Sequence, residues 1–259
     1  MKKQYLGIYD SGIGGLTVVK AIQEALPQEN IVFLADSKNM PYGSKSKEEI
    51  VSFSLKNAEI LSRYNLKAIV IACNTSDSIA KNELKKHYNL PIIGVIDSAV
   101  KQALLQSKNK KIAVLATEAT TASKSYVNAI TEHDEQAEVF SVACPELVPL
   151  IEKGYFKNDD GTLENSLRQY LKDAIDNNAD TVILGCTHYD VLIEMVKKIM
   201  PEVNVVSSSR CIVEDIKEKL ECNTDAEESE TVYLASSDSS IFKQVANEII
   251  PGINIETVN

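Results

Sequence analysis

The 259-residue chain has no apolar run near the roughly 18 residues a membrane helix needs. The start, Met1-Lys2-Lys3-Gln4, opens like a signal peptide, but Asp10 ends the apolar stretch behind it after about six residues. A soluble cytoplasmic protein is expected. There is no CxxC pair, and the five cysteines (Cys73, Cys144, Cys186, Cys211 and Cys222) are odd in number and widely spaced. That excludes a disulfide framework in a cytosolic chain of this size, so a cysteine that matters does so as a thiol. His87, His133 and His188 show no metal-ligand spacing with the cysteines, so no metal is expected. A basic face is missing too: 27 Lys and Arg stand against 37 Asp and Glu, a net charge of −10. With a pI near 4.9, broad binding to nucleic acid or an anionic membrane is not expected. The basic clusters Lys85-Lys86 and Lys108–Lys111 are short and read as solvated helix ends or turns. No linker rich in Pro, Gly or Ser interrupts the chain, and its one acidic run, Asp225–Glu230, is short.

What is present is ordinary globular composition, 44% hydrophobic and 25% charged, with length for one or two domains. Short β-branched runs recur at Leu6–Tyr9, Ile31–Ala35, Ala68–Ala72, Ile92–Ile96, Ile112–Ala116, Val139–Ala143, Thr181–Gly185, Val203–Val206 and Val232–Ala235. They are nearly continuous in apolar residues, as strands buried on both faces are. Helical patterns lie between them at Lys47–Tyr64, Ser76–Tyr88, Ser123–Glu132, Leu163–Asn177 and Val191–Met200. This alternation predicts an α/β fold with mainly parallel sheets flanked by helices.

A weak internal repeat is visible. Ala68-Ile-Val-Ile-Ala-Cys73-Asn-Thr-Ser-Asp77 resembles Thr181-Val-Ile-Leu-Gly-Cys186-Thr-His-Tyr-Asp190, each an apolar strand ending in cysteine and small polar residues before a helix. The repeat predicts two similar lobes, one from 1–97 and one from 98–206. The tail from 207 to 259 is assigned to the first lobe.

Ligands of open parallel sheets bind at the carboxyl ends of the strands. Asp10-Ser11-Gly12-Ile13-Gly14-Gly15 lies there, opening a helix whose N–H groups suit a carboxylate or phosphate. The dinucleotide fingerprint fails, although Asp36 is suitably placed, because Thr17 stands where a third glycine is needed. Cys73 and Cys186 are the stronger signal. A lone strand-end cysteine reads as a small buried hydrophobe, but two in matching contexts carry more weight: if the lobes face each other about a pseudo-twofold axis, the sulfurs oppose each other across one cleft. Each precedes a helix, whose positive end is expected to lower the thiol pKa from about 8.5. One thiolate taking a proton while the other thiol returns one to the opposite face inverts a stereocentre.

Several segments closely resemble glutamate racemase and its aspartate-racemase relatives. They are Gly7-Ile-Tyr-Asp-Ser-Gly-Ile-Gly-Gly-Leu-Thr17, Ala35-Asp36, Pro41-Tyr42-Gly43, Ala72-Cys-Asn-Thr75, Gly94-Val-Ile96, Ala143-Cys-Pro145 with Glu152, and Gly185-Cys-Thr-His-Tyr189. The resemblance implies a cofactor-independent, commonly dimeric enzyme of two α/β lobes, with its site in the interlobe cleft. It implies interconversion of L- and D-glutamate to supply peptidoglycan synthesis. Carried over by position, Cys73 and Cys186 are the acid/base thiols. Asp10 assists the first and His188 the second, with Glu152 behind His188. Asp10, Ser11, Pro41, Tyr42, Gly43, Asn74, Thr75, Thr117, Thr120, Thr187 and His188 are the implied substrate contacts.

The pattern is broken at four places: Asp77, Asp97-Ser98, Asp190 in place of a usual proline, and Ser207-Ser-Ser-Arg210, which lacks a usual glycine. Three alternatives stay open on the sequence. They are racemisation of aspartate or a broader set by the same thiols, a two-lobed binding protein without chemistry, and a cysteine hydrolase. The duplicated cysteine speaks against the last.

Overall fold

The computed structural model describes residues 3–156, 160–223 and 229–258. Most of the Asp225–Glu230 acidic run lies outside them. The chain begins with β1 (Tyr5–Asp10), α1 (Gly15–Ala25), β2 (Asn30–Ala35), α2 (Lys47–Leu61), β3 (Leu66–Ile71), α3 (Asn74–His87), β4 (Ile92–Gly94) and α4 (Val95–Gln106). A second series follows: β5 (Lys111–Ala116), α5 (Glu118–Ser123), α6 (Ser125–His133), β6 (Glu138–Ala143), α7 (Leu147–Glu152), α8 (Thr162–Tyr170), α9 (Lys172–Asp176), β7 (Thr181–Gly185), α10 (Ile193–Ile199) and β8 (Asn204–Ser207). The last stretch supplies α11 (Ser208–Lys219), β9 (Thr231–Ala235), α12 (Ser240–Ile249) and β10 (Ile255–Thr257). No helix among the described residues is long and apolar enough to cross a membrane.

These strands form two sheets, ordered β10-β9-β2-β1-β3-β4 and β6-β5-β7-β8, and every pairing is parallel. The series β2-β1-β3-β4 and β6-β5-β7-β8 have the same connectivity, so the sequence repeat is a repeat of topology. Strands β3 and β7, which carry the two cysteine motifs, are therefore equivalent. The tail adds β9 and β10 beside β2 and widens the first sheet. Burial explains why the runs are apolar throughout: all six residues of β2 and all five of β7 are buried. Each such Val, Ile or Leu contributes about 1.5–3 kcal/mol by leaving water. Strand β10 escaped the sequence reading because Ile255-Glu-Thr is a short edge strand with a single buried residue.

Several predicted elements end elsewhere. The Ile92–Ile96 run is a strand only to Gly94, and Val95 already starts α4. The cause is Asp77 on α3, whose buried Oδ2 accepts the Ile96 N–H at 2.7 Å and caps the new helix. The helix expected over Ser123–Glu132 is split at Lys124, which adopts a left-handed conformation with φ 58°. The Leu163–Asn177 pattern is likewise two helices, α8 and α9.

The Asp77 cap sets a strict limit on Gly94. Its φ of −114° suits any residue, but a Cβ there would sit inside the Asp77 carboxylate. Gly94→Ala is expected to cost about 1–3 kcal/mol, as overpacking does in a closed core. In an Asp77→Ala background the added cost should fall below about 1 kcal/mol, since contacting residues are not additive. Denaturant midpoints of the four proteins check this, and equal costs in both backgrounds would refute it.

Candidate active site

Cys73 lies two residues beyond the end of β3 and is the N-cap residue of α3. Cys186 follows β7 and leads into a 3-10 turn, Thr187–Leu192, where the sequence reading placed an α-helix start. Both are free thiols, 5% and 8% exposed. They line one cleft between the two lobes, together with Ser11, Pro41, Tyr42, Gly43, Asn74, Thr75, Thr117, Thr187 and His188. The cleft has a free volume of about 20 Å³, roughly the room one water needs. At this width the cleft has no room for a molecule much larger than a water.

The electrostatics around Cys73 overturn one expectation. Burial pushes its thiol up to about 12, and the Asp10 carboxylate adds to the shift. The amide dipoles at the start of α3 are outweighed, because desolvating a thiolate costs more than a half-charge at a helix end returns. At neutral pH Cys73 holds its proton. Its Sγ lies 3.5 Å from Ser11 Oγ. Asp10 is itself fully buried, its Oδ2 accepting the Gly12 N–H at 2.9 Å, and burial raises its pKa above the usual carboxylate value.

On the opposite side, His188 Nδ1 lies 3.8 Å from Cys186 Sγ, and His188 Nε2 lies 3.4 Å from Glu152 Oε1. Burial opposes a charge on this imidazole. The hydrogen bonds to Cys186 and Glu152, with the negative fields of Cys186 and Asp10, prevail and raise it to about 10. The cleft thus carries a protonated thiol at one strand end and an imidazolium beside the sulfur of the other.

A folded pKa near 10 against an ordinary value near 6.5 makes His188 a stabilising proton site. The contribution is complete below about pH 6.5 and is lost as pH rises through about 10. Wild-type protein should therefore lose stability between pH 7 and 10 more steeply than His188→Asn. Urea midpoints across that range test it, and parallel slopes would contradict the pairing.

Polar groups from both lobes surround the thiols. Thr75 on α3 meets Thr117 and Thr120 at the start of α5 through hydroxyl contacts of 2.9 and 3.2 Å, and the latter two are 3.0 Å apart. Thr120 reaches the cleft only through these neighbours. The Tyr42 hydroxyl donates to Asp36, whose carboxylate also accepts from Asn39 and from Ser236 at 2.7 Å. Asp36, the ribose-binding candidate of a dinucleotide fold, is occupied here in fixing the Pro41-Tyr42-Gly43 loop. Asp10 and Glu152 do not line the cleft; the charge of Asp10 is felt at Cys73, and Glu152 pairs with His188. The three aspartates among the departures from the family pattern are each partnered. Asp77 caps α4, Asp97 pairs with Lys81 at 2.7 Å, and Asp190 accepts the Ser207 hydroxyl at 2.7 Å. Val148 on α7 also lines the cleft, and sequence reasoning missed it. In Leu147-Val-Pro-Leu-Ile an apolar cleft residue reads the same as a core residue.

The family model described as Asp/Glu/Hydantoin racemase matches residues 14–216. A glutamate racemase of Sulfurihydrogenibium sp. is 39% identical over 254 residues, covering 98% of this chain and 96% of that protein. A crystal structure of a glutamate racemase isoform from Bacillus anthracis superposes with a TM-score of 0.94 at 32% identity, covering 100% of this chain and 98% of that one. The Francisella tularensis glutamate racemase, solved in complex with D-glutamate, has a TM-score of 0.91 at 30% identity over 100% and 98% of the two chains. With the strand order, the paired cysteine motifs and these full-length likenesses in agreement, the chain belongs to the Asp/Glu/Hydantoin racemase family, in its glutamate racemase group.

Proposed function

We propose that this chain is a cofactor-independent glutamate racemase working through a thiol on each face of the substrate Cα. The observation that carries the reading is the convergence of Cys73 and Cys186, from equivalent ends of equivalent strands, on one interlobe cleft. In one direction a cysteine thiolate takes the α-proton, leaving the electron pair on Cα conjugated with the carboxylate. The opposing thiol then delivers its proton to the other face. One thiolate is consumed and one formed, and the reverse reaction exchanges their roles. The proton held at Cys73 supports its part as the donor at rest.

The carbanion is formed beside an existing carboxylate, so charge stabilisation must come from aligned donors in a site without water. A chain of net charge −10 attracts no anion in bulk. The donors are local: unsatisfied N–H groups at the first turn of α3, the threonine hydroxyls and the Ser11 hydroxyl. His188, as a cation backed by Glu152, offsets negative charge beside Cys186. The reading includes a lobe division at 1–97 plus 207–259 and 98–206, a homodimer in the cytoplasm, and supply of D-glutamate to peptidoglycan synthesis.

Proton NMR of the protein with L-glutamate in D₂O, beside circular dichroism of the same sample, tests it. The α-proton signal and the optical activity should both decay. If neither changes for glutamate but both do for aspartate, the substrate assignment is wrong. Folded protein that exchanges neither amino acid would overturn the racemase reading.

A further inference from the structure

Asn74 follows Cys73 directly, yet its side chain is already engaged. Its Oδ1 accepts the Tyr126 hydroxyl at 2.6 Å, and its Nδ2 donates to Ser208 Oγ at 3.0 Å. Ser208 Oγ in turn donates to the Leu184 carbonyl at 2.9 Å. Every donor in this chain points the same way, from Tyr126 through Asn74 and Ser208 to β7, and aligned hydrogen bonds polarise one another. Asn74 and Tyr126 are 2% exposed, and Ser208 and Leu184 are fully buried. The elements joined are the start of α3, the start of α6, the start of α11 and the end of strand β7 before Cys186. The Tyr126 ring adds a second contact, because a Cβ on Gly185 would lie 3.0 Å from its Cε2. One tyrosine thus packs against the residue before Cys186 while its hydroxyl holds the residue after Cys73.

From this juxtaposition we infer that Tyr126 and Ser208 are positioning residues that hold the two thiols in register across the cleft. The inference rests on the two-thiol reading above. Its physical basis is the sensitivity of proton transfer to placement, for which an error near 1 Å costs on the order of 10²-fold in rate. It also assigns the Asn74 contribution to substrate binding to its backbone N–H and the one remaining amide hydrogen. The break in the helical backbone at Lys124 has a role here. It turns α6 so that Tyr126, two residues on, faces the buried seam.

Tyr126→Phe keeps the ring against Gly185 and removes only the hydroxyl, and Ser208→Ala removes the link to β7. For each variant, kcat should fall about tenfold or more in both directions while KM for each enantiomer moves less than about threefold. The primary isotope effect with 2-deuterated L- and D-glutamate should rise in both directions. The double variant should lose less than the product of the single losses, because both act on one chain of bonds. Unchanged kcat in folded Tyr126→Phe, or an isotope effect that rises in one direction only, would overturn the inference. A loss that appears in KM alone, or only as reduced thermal stability, would also do so. Wild-type protein that fails to exchange the α-proton of glutamate removes the two-thiol reading itself, a result seen before any variant is made.

Discussion

Cys73→Ala and Cys186→Ala should each lose racemisation by at least about 10⁴-fold, the upper range for removing a positioned acid or base. Neither should lose the fold. Both thiols are small and buried at the cleft, so trimming sulfur to a methyl leaves a minor cavity costing on the order of 1 kcal/mol. Serine is the more informative replacement, since it keeps size and hydrogen bonding but is a far weaker base. Each Cys→Ser variant should lose α-proton exchange chiefly from one enantiomer, and the two variants should show opposite preferences. Exchange followed by NMR in D₂O from pure L- and pure D-glutamate checks this. Near-normal racemisation by either alanine variant would sink the two-thiol mechanism, and symmetrical loss in both serine variants would sink the assignment of one thiol per face.

Gly14→Ala should cost about 100-fold or more in kcat/KM without unfolding the protein. Gly14 precedes α1 with φ −58° and ψ −31°, a conformation alanine adopts freely, so the backbone raises no objection. The obstacle is across the cleft. A Cβ at Gly14 would collide with the Thr187 hydroxyl and lie 2.8 Å from Thr187 Cβ and 3.0 Å from His188 Nδ1. Helix α1 packs on the first sheet and the Thr187–Leu192 turn on the second, so one methyl props the lobes apart at the Cys186 side. Gly15→Ala provides the contrast. Its Cβ would strike Asp10 and approach Phe33 Cε2 to 2.8 Å within the first lobe, so it should lower the melting temperature. Steady-state kinetics with thermal melts of both variants separates the effects. A fully active Gly14→Ala would show that the closed cleft is not the reactive state.

The same glycines mark how far the sequence could be read. Gly12-Ile13-Gly14-Gly15 behind an apolar run announced a strand-to-helix turn, and Cys73 and Cys186 announced a pair, because both signals are local and repeat. Tyr126 and Ser208 carried no such signal. Their spacing from Cys73 is 53 and 135 positions, and only the packing of α6 and α11 into the interlobe seam brings them together. Val148 was hidden for a different reason, since a cleft-lining valine and a core valine have the same chemistry.

By itself the sequence determined the α/β class, the strand repeat and the two thiols, because continuous apolar runs, turn glycines and duplicated motifs act over short stretches of chain. Tertiary structure decided where β4 stops, through Asp77 reaching from α3 to the Ile96 amide. It also decided the protonation of the site. A helix start suggests an acidic thiol at Cys73, but burial beside Asp10 makes it a reluctant one, and the His188 imidazole is charged only because Cys186 and Glu152 are folded against it. Desolvation and through-space charge depend on neighbours remote in the chain, and no local pattern encodes them.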